Sequence, residues 1–304
     1  MRRYLFCLGV AAWMIGSGAA SAQEPAAPAG TTEEFEAKLG YQSGTVTLQH
    51  GMATIHVPES FRFIGPEGSQ RLLTEGWGNP AAATDDVLGM LVPSAVSPLS
   101  KGGWGIVITF NDDGYVNDSD AGKINYANLL KEMQDGAAEA NKERSKQGFE
   151  PVTLVGWAEP PHYDAAAHKL YWAKDLMFGA DGDHTLNYNI RILGRRGVLV
   201  LNAVASMAQL ETIRAETKTI LPAVEFNEGH RYADYLPGTD KAAAYGIGGL
   251  ILGGVAAKAG LFKVLLAALL AAKKLLVAGV VALIAFLKRL FGKSAQPAEG
   301  NATS

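Results

Sequence analysis

Cysteine is nearly missing from this sequence. Among 304 residues only Cys7 carries a thiol, and it lies in the N-terminal leader. The remaining chain has no means of forming disulfides, of thiol catalysis or of thiolate metal ligation. Short catalytic signatures are missing too. There is no Gly-x-Ser-x-Gly elbow, no phosphate loop, no dinucleotide fingerprint and no His-Glu-x-x-His. No motif calls for a cofactor, and none is expected. Positive charge is scarce between residues 4 and 240, where 17 Lys/Arg stand against 29 Asp/Glu. A body this acidic excludes nucleic acid as a partner.

The two ends are apolar. Arg2 and Arg3 precede a run from Leu5 to Ile15, and Ala20-Ser21-Ala22 follows with a small-x-small pattern. The run is too short to span a bilayer, and the pattern is that of a secretory signal peptide over 1–22. Cys7 is no lipoprotein cysteine, because bulky Phe6 precedes it and the apolar run continues past it. Residues 23–32 form a Pro/Ala linker. From Ala242 to Phe291 aliphatic residues dominate, which predicts one or two transmembrane segments over 242–291. Lys273-Lys274 is a poor mid-membrane element, so a hairpin and a single tilted helix both remain open. Gly249 and Gly253 make a small-xxx-small pair through which the chain could self-associate. From Lys241 onward there are eight Lys/Arg and one acid, Glu299, a balance suited to anionic lipid heads. Residues 292–304 are polar and predicted disordered.

Between these ends, 33–237 reads as one α+β domain. Thr45–Gln49 and Ala53–Val57 alternate around His50-Gly51, a hairpin pattern. Phe61–Ile64, Val87–Val92 and Trp104–Phe110 are further strands, and Gln70–Gly76 is a short helix. Tyr126, Leu129, Leu130, Met133, Ala137 and Ala140 recur at helical spacing, with Asp118, Ser119 or Asp120 as cap and Gly148 as stop. Strands then follow at Pro151–Ala158, Lys169–Phe178, Thr185–Leu193 and Val198–Ser206, the last two joined by Gly194-Arg-Arg-Gly197. An amphipathic helix covers Met207–Ile220. Tight turns and flanking helices predict an antiparallel sheet with packed helices.

Chemistry-bearing residues gather in three places. "GWAEPPHYDAAAHKLYWAKD" (Gly156–Asp175) holds Glu159, His162, Asp164 and His168. The Pro-Pro pair predicts that pairing ends there, leaving "HYDAAAH" as the loop of a long hairpin. These four could supply acid/base or metal chemistry, although their spacing matches no established ligand pattern. "NDDGYVNDSDAG" (Asn111–Gly122) holds Asp112, Asp113, Asp118 and Asp120, oxygen donors of the kind calcium takes, without an EF-hand order. The other reading is a solvated turn with helix-capping acids. Arg191, Arg195 and Arg196 cluster near a hairpin tip, ready for a phosphate or for an acidic patch of the same domain.

"WGNP" (Trp77–Pro80), "WGIVITFNDDGYVNDSDA" (Trp104–Ala121), "NYANLLKEMQ" (Asn125–Gln134), "GWAEPPHYD" (Gly156–Asp164), "KLYWAKDL" (Lys169–Leu176) and "LNYNIRILGRRGVLVLNAVA" (Leu186–Ala205) occur in this order. Together they resemble an uncharacterised bacterial family, the membrane-anchored domain of unknown function 2167. The resemblance implies an exported domain tethered to the bacterial inner membrane with its body in the periplasm. It implies no activity, cofactor or catalytic residue. Taken together, the expectation is a non-enzymatic envelope protein that contacts the lipid bilayer and an envelope protein or cell-wall ligand. The alternative is a tethered metal-assisted hydrolase built on the 159–168 loop.

Overall fold

A computed structural model describes residues 31–253, apart from 147 and 180–183. The expected leader and nearly all of the linker lie outside the described residues. So do the part of the apolar segment beyond Gly253 and the polar tail. Among the described residues eleven strands occur in chain order: β1 (Tyr41–Gln42), β2 (Gly44–Leu48), β3 (Ala53–Val57), β4 (Phe61–Ile64), β5 (Val87–Pro93), β6 (Gly105–Asn111), β7 (Val152–Asp164), β8 (Lys169–Phe178), β9 (His184–Leu193), β10 (Val198–Ser206) and β11 (Val224–Phe226). The helices are α1 (Thr32–Ala37), α2 (Pro66–Arg71), α3 (Tyr126–Lys146), α4 (Leu210–Ala223) and α5 (Ile247–Leu252). The chain is α+β, as predicted.

One sheet has eight strands in the order β1-β4-β5-β6-β10-β9-β8-β7, and every pairing is antiparallel. A second has three, β11-β3-β2. Alternation along the long strands sends residues to two different cores. Leu186, Tyr188, Ile190 and Ile192 of β9 face α4 and the small sheet, where they meet Ile55, Ile213, Ile220 and Phe226. On the opposite face, Leu170 and Trp172 of β8 pack with Leu129 of α3 and Ile247, Leu250 and Ile251 of α5. Phe35 of α1 and Leu72 and Leu73 cover the far end of that face, against Ile64, Met90 and Val107.

Local rules account for most elements. Thr31 caps α1 in a reciprocal box with Glu34, and Ser206 forms the same box with Gln209 ahead of α4. The cap of α3 differs from the expected acids. Asn125 Oδ1 accepts from Ala127 N and Asn128 N, because Asp118 and Asp120 are engaged elsewhere. The helix expected at Gln70–Gly76 begins earlier, at Pro66, and widens into a π turn over Leu72–Gly76.

Two sequence expectations are corrected. β7 continues through Pro160-Pro161 to Asp164, so the connection to β8 is a short turn and not a seven-residue loop. The prolines are tolerated because β7 is an edge strand and both lie in the register shift between Glu159 and His162, where neither is paired with β8. The folded body also runs past the boundary read at Pro237. The segment from Arg231 to Leu252 crosses the body: Tyr115 N donates to Lys241 O, Ala243 N donates to Tyr115 O, and α5 is buried. Asp120 caps α5 with both carboxylate oxygens, on Ile247 N (2.9 Å) and Gly248 N (3.1 Å). A Cβ at Gly246 would stand 2.5 Å from that carboxylate, so any larger residue would displace the cap. Residues 242–252, read as the start of a membrane segment, therefore belong to the body. Gly249 lies inside α5 and Gly253 ends it in the left-handed region (φ +88°). Among the described residues no helix is long and apolar enough to cross a membrane.

A chain stopped after Pro237 loses three buried aliphatic side chains, Ile247, Leu250 and Ile251. At about 1.5–3 kcal/mol each, that costs roughly 5 kcal/mol or more. Thermal melts of chains ending at Pro237 and at Gly253 will show the shorter one unfolded or strongly destabilised. Equal melting temperatures would contradict the packing of α5.

Candidate functional site

A strict two-residue period would put Gly156 and Glu159 on opposite faces of β7. Bulges prevent this. Pairing with β8 shifts register between Leu154 and Gly156, between Trp157 and Glu159, and between Glu159 and His162. Each shift absorbs extra residues on the β7 side and re-aims the side chains beyond it. Gly156, Glu159 and His162, three residues apart, thus lie opposite Asp175, Ala173 and Tyr171. Those three lie opposite Leu186, Tyr188 and Ile190 of β9. The result is three cross-strand rows on the face that also carries α4.

Helix α4 supplies the rim. Arg214 Nε reaches Glu159 Oε2 at 3.2 Å, and its Nη1 reaches Glu211 Oε1 at 2.6 Å. These bonds to Glu159 and Glu211 raise the arginine's pKa. In the middle row, burial and then the charge of Glu159 push the Tyr188 hydroxyl far up. Tyr188 Oη is buried without a hydrogen-bond partner. Its neighbour Thr217 donates instead to Ile213 O (2.8 Å), and Glu159 is drawn to Arg214. In the third row the His162 ring tilts against Tyr171, with centroids 5.0 Å apart. Burial, then Glu159 and Asp164, raise Tyr171. Beyond the first row, His184 Nδ1 meets both Asp175 oxygens at 2.8 and 2.9 Å, an exposed imidazole held by a largely buried carboxylate.

The four residues of the 159–168 stretch separate. Glu159 and His162 share this face. Asp164 turns back on its own chain, accepting from Ala166 N and Ala167 N, and these bonds hold its carboxyl below the usual range. His168 occupies the β7–β8 turn in the left-handed region (φ +52°) and belongs to another cluster. There Tyr163 Oη donates to Asp118 Oδ2 at 2.6 Å, and His168 Nδ1 lies 3.2 Å from Tyr163 Oη. His168 stacks on Tyr232, Tyr232 on Tyr115 and Tyr115 on Tyr235, with centroids 4.0, 4.5 and 3.9 Å apart. Burial pushes the Asp118 carboxyl up, but the hydroxyls of Tyr163 and Tyr232 and the nearby His168 hold it below the ordinary value.

The acidic patch is dispersed in the same way. Asp113 accepts from Tyr245 Oη at 2.6 Å, Asp118 serves Tyr163, and Asp120 caps α5. Asp112 offers its backbone carbonyl to Lys241 at 3.4 Å. Among the described residues no group of three or more His, Cys, Asp or Glu could hold a metal ion. At the hairpin tip, Arg195 grips Asp240 through two nitrogens (2.6 and 3.1 Å), and Arg196 approaches it at 3.6 Å. Arg191 goes elsewhere and lies over the Trp172 ring at 4.9 Å.

Asp175, Tyr171, Tyr188, Arg214 and His184 escaped the sequence reading. Their signal depends on register, since neither the bulges nor the approach of α4 leaves a spacing pattern in the chain.

Asp240 carries a pH prediction. The Arg195 hydrogen bonds hold its carboxyl at about 2, well below the ordinary aspartate value. A lowered folded value means that the stabilisation is complete above about pH 4 and is lost as pH falls toward 2. Asp240→Asn should flatten this acid limb of a stability–pH curve. An unchanged limb would show that the ion pair does not form. Double-mutant cycles on Glu159 and Arg214 should give a coupling of about 0.2–1 kcal/mol, the range of partly exposed pairs.

The model of the family described as "Protein of unknown function (DUF2167)" matches residues 40–284. No curated protein matches the sequence. Among solved structures, cyanobacterial PsbP from Synechocystis sp. PCC 6803 aligns at 8% identity and a TM-score of 0.34, covering 62% of this chain and 94% of its own. LpqN, involved in cell envelope biogenesis of Mycobacterium tuberculosis, aligns at 14% identity and a TM-score of 0.30, covering 66% and 99%.

Proposed function

We propose, for a chain that belongs to this family of unknown function, that it is a non-enzymatic binding module of the bacterial envelope. The leader over 1–22 carries it to the periplasm. The apolar stretch beyond Gly253 holds it at the inner membrane. Its body contacts an envelope component through the edge strand β7 and the rim of α4 beside it.

One observation supports a binding role over catalysis. The acid/base candidates are spent separately on structural contacts and converge on no common point. Glu159 pairs with Arg214, Asp164 closes a turn, Asp118 takes the Tyr163 hydroxyl and Asp120 caps a helix. General acid/base chemistry needs its groups within hydrogen-bond reach of one reacting atom. By contrast, the β7 edge offers half-exposed Glu159, held by Arg214, and exposed His162, with half-exposed Gly156 and exposed Val155 on the same strand. Supporting the location are the leader pattern and the excess of Lys/Arg in the tail.

Protein recovered from cell envelopes should begin at Gln23 and resist carbonate extraction. The same chain stopped after Gly253 should be released with the soluble periplasm on osmotic shock. Retention of the leader, or of the stopped chain in the bilayer fraction, would overturn the assignment of place. For the binding role, a photo-reactive amino acid at Val155 should give a light-dependent adduct in intact cells, and one at exposed Phe149 should not. Absence of an adduct at Val155 would count against the edge.

A further inference from the structure

We infer that the sheet face opposite α4 holds a binding site for a small oxyanion, a carboxylate or a phosphate, in a polar strip over β8, β9 and β10. This site goes beyond the β7 edge and does not depend on it. The strip lies between two apolar clusters of one face. Leu170, Trp172, Val198 and Val200 gather with α3 and α5 on one side, and Met90 and Val107 gather with Phe35 of α1 on the other. Register sets polar residues between them. Trp172, Asn189 and Asn202 stand opposite one another in one row, Lys174 and Asn187 in the next, and Arg191, Val200 and Thr109 in a third. Val200 and Asn202 of β10 and Thr109 of β6 are partly exposed. Both strands are paired on either side, so solvent reaches these side chains only from above the sheet. On the other face of the same strands Leu199, Leu201 and Ile108 are fully buried. The helices therefore leave a gap over the middle of the sheet.

What the strip offers there is hydrogen-bond donors. Arg191 Nη2 donates to Asn189 Oδ1 (3.2 Å), Asn189 Nδ2 to Asn187 Oδ1 (2.9 Å) and Asn187 Nδ2 to Asn202 Oδ1 (3.5 Å). Each amide oxygen in this chain is taken by the donor before it. The chain ends on Asn202 Nδ2, which has no acceptor among the described residues. Trp172 Nε1, in the same row, is buried with no acceptor. The indoles of Trp157 and Trp77 are not left so, since they donate to Tyr126 O and Pro98 O. An indole nitrogen can only donate, and a buried N–H without an acceptor costs stability, so an acceptor belongs in front of Trp172. Charge points the same way. Buried Lys174 and Arg191, whose guanidinium lies 4.9 Å from the Trp172 ring centroid, put two cations on the strip. Asp113 enters this core through Tyr245, whose hydroxyl it accepts at 2.6 Å. An indole, an amide and two cations together suit the lone pairs of an oxyanion. From Trp172 to Asn202 the strip is two strand spacings wide, about 10 Å, the scale of a small ligand.

The test labels the indole nitrogens of the full chain isotopically, in an uncharged detergent, and follows the Trp172 Nε1–H resonance, assigned with Trp172→Phe. Succinate and inorganic phosphate are titrated, with succinamide as the uncharged comparator. At least one oxyanion should shift that resonance saturably, and succinamide should not. A shift with succinate alone names a carboxylate, a shift with phosphate alone names a phosphate, and each supports the site. Asn202→Asp sets a carboxylate where the donor was and should weaken binding about tenfold or more, the worth of one hydrogen bond to a charged group. Asn202→Val, which suits a strand and removes the donor without adding charge, should weaken it too. Asn202 is partly exposed, so both variants should keep the parent's melting temperature. No shift with either oxyanion, an equal shift with succinamide, or parent affinity in both variants would sink the site. None of these results bears on the β7 edge, which the Val155 adduct tests.

Discussion

An eight-stranded antiparallel sheet has two faces, and this one must keep water off both over most of its area. That constraint organises the rest of the body. Trp172 and Tyr188 stand on neighbouring strands and point to opposite cores, each about 1% exposed. One face is closed by α4 and the small sheet, and the other by helices from both halves of the chain. α3 and α5 both pack in the cluster that holds Leu170, Trp172, Leu193 and Val198. A segment apolar enough to suggest a bilayer is in its first turns a piece of this core.

Bringing that segment back across the sheet needs anchors, and the acidic loop after β6 provides them. Asp113 and Asp120 hold Tyr245 and the first N–H groups of α5, and Asp118 holds Tyr163 of β7. Asp240 answers from the crossing segment by taking Arg195. These are charge-assisted bonds from partly desolvated carboxylates, stronger than neutral ones. A run of acids that resembles a cation site in one dimension is in three dimensions a set of separate clamps. Every oxygen spent on a tyrosine or a helix terminus is one fewer for a metal.

The edge strand β7 shows how irregularity re-aims side chains. In a regular strand Glu159 would face away from Gly156 and His162 from Glu159. Two bulges, between Trp157 and Glu159 and between Glu159 and His162, reverse that, while Trp157 and Tyr163 remain with the opposite core. The same bulges and the two prolines protect an open edge from pairing with another chain. Protection of the edge and assembly of the face thus have one structural cause.

The amino-acid sequence by itself determined the class, the presence of nine of the eleven described strands and the bounds of eight of them to within one residue, the long helix α3, the hairpins at His50-Gly51 and Gly194–Gly197, and the charge division. Each depends on local alternation, turn residues or composition, which a chain carries in its own order. Only the tertiary structure decided where β7 ends, that Ile247–Leu252 is core, and which polar groups meet. β1 and β11 are two and three residues long and exist only because a partner strand lies beside them. The meeting of Asp175 with His184, or of Glu159 with Arg214, depends on register and on the approach of a helix 55 residues away. Such contacts are fixed by packing over the whole sheet, and no local pattern of residues encodes them.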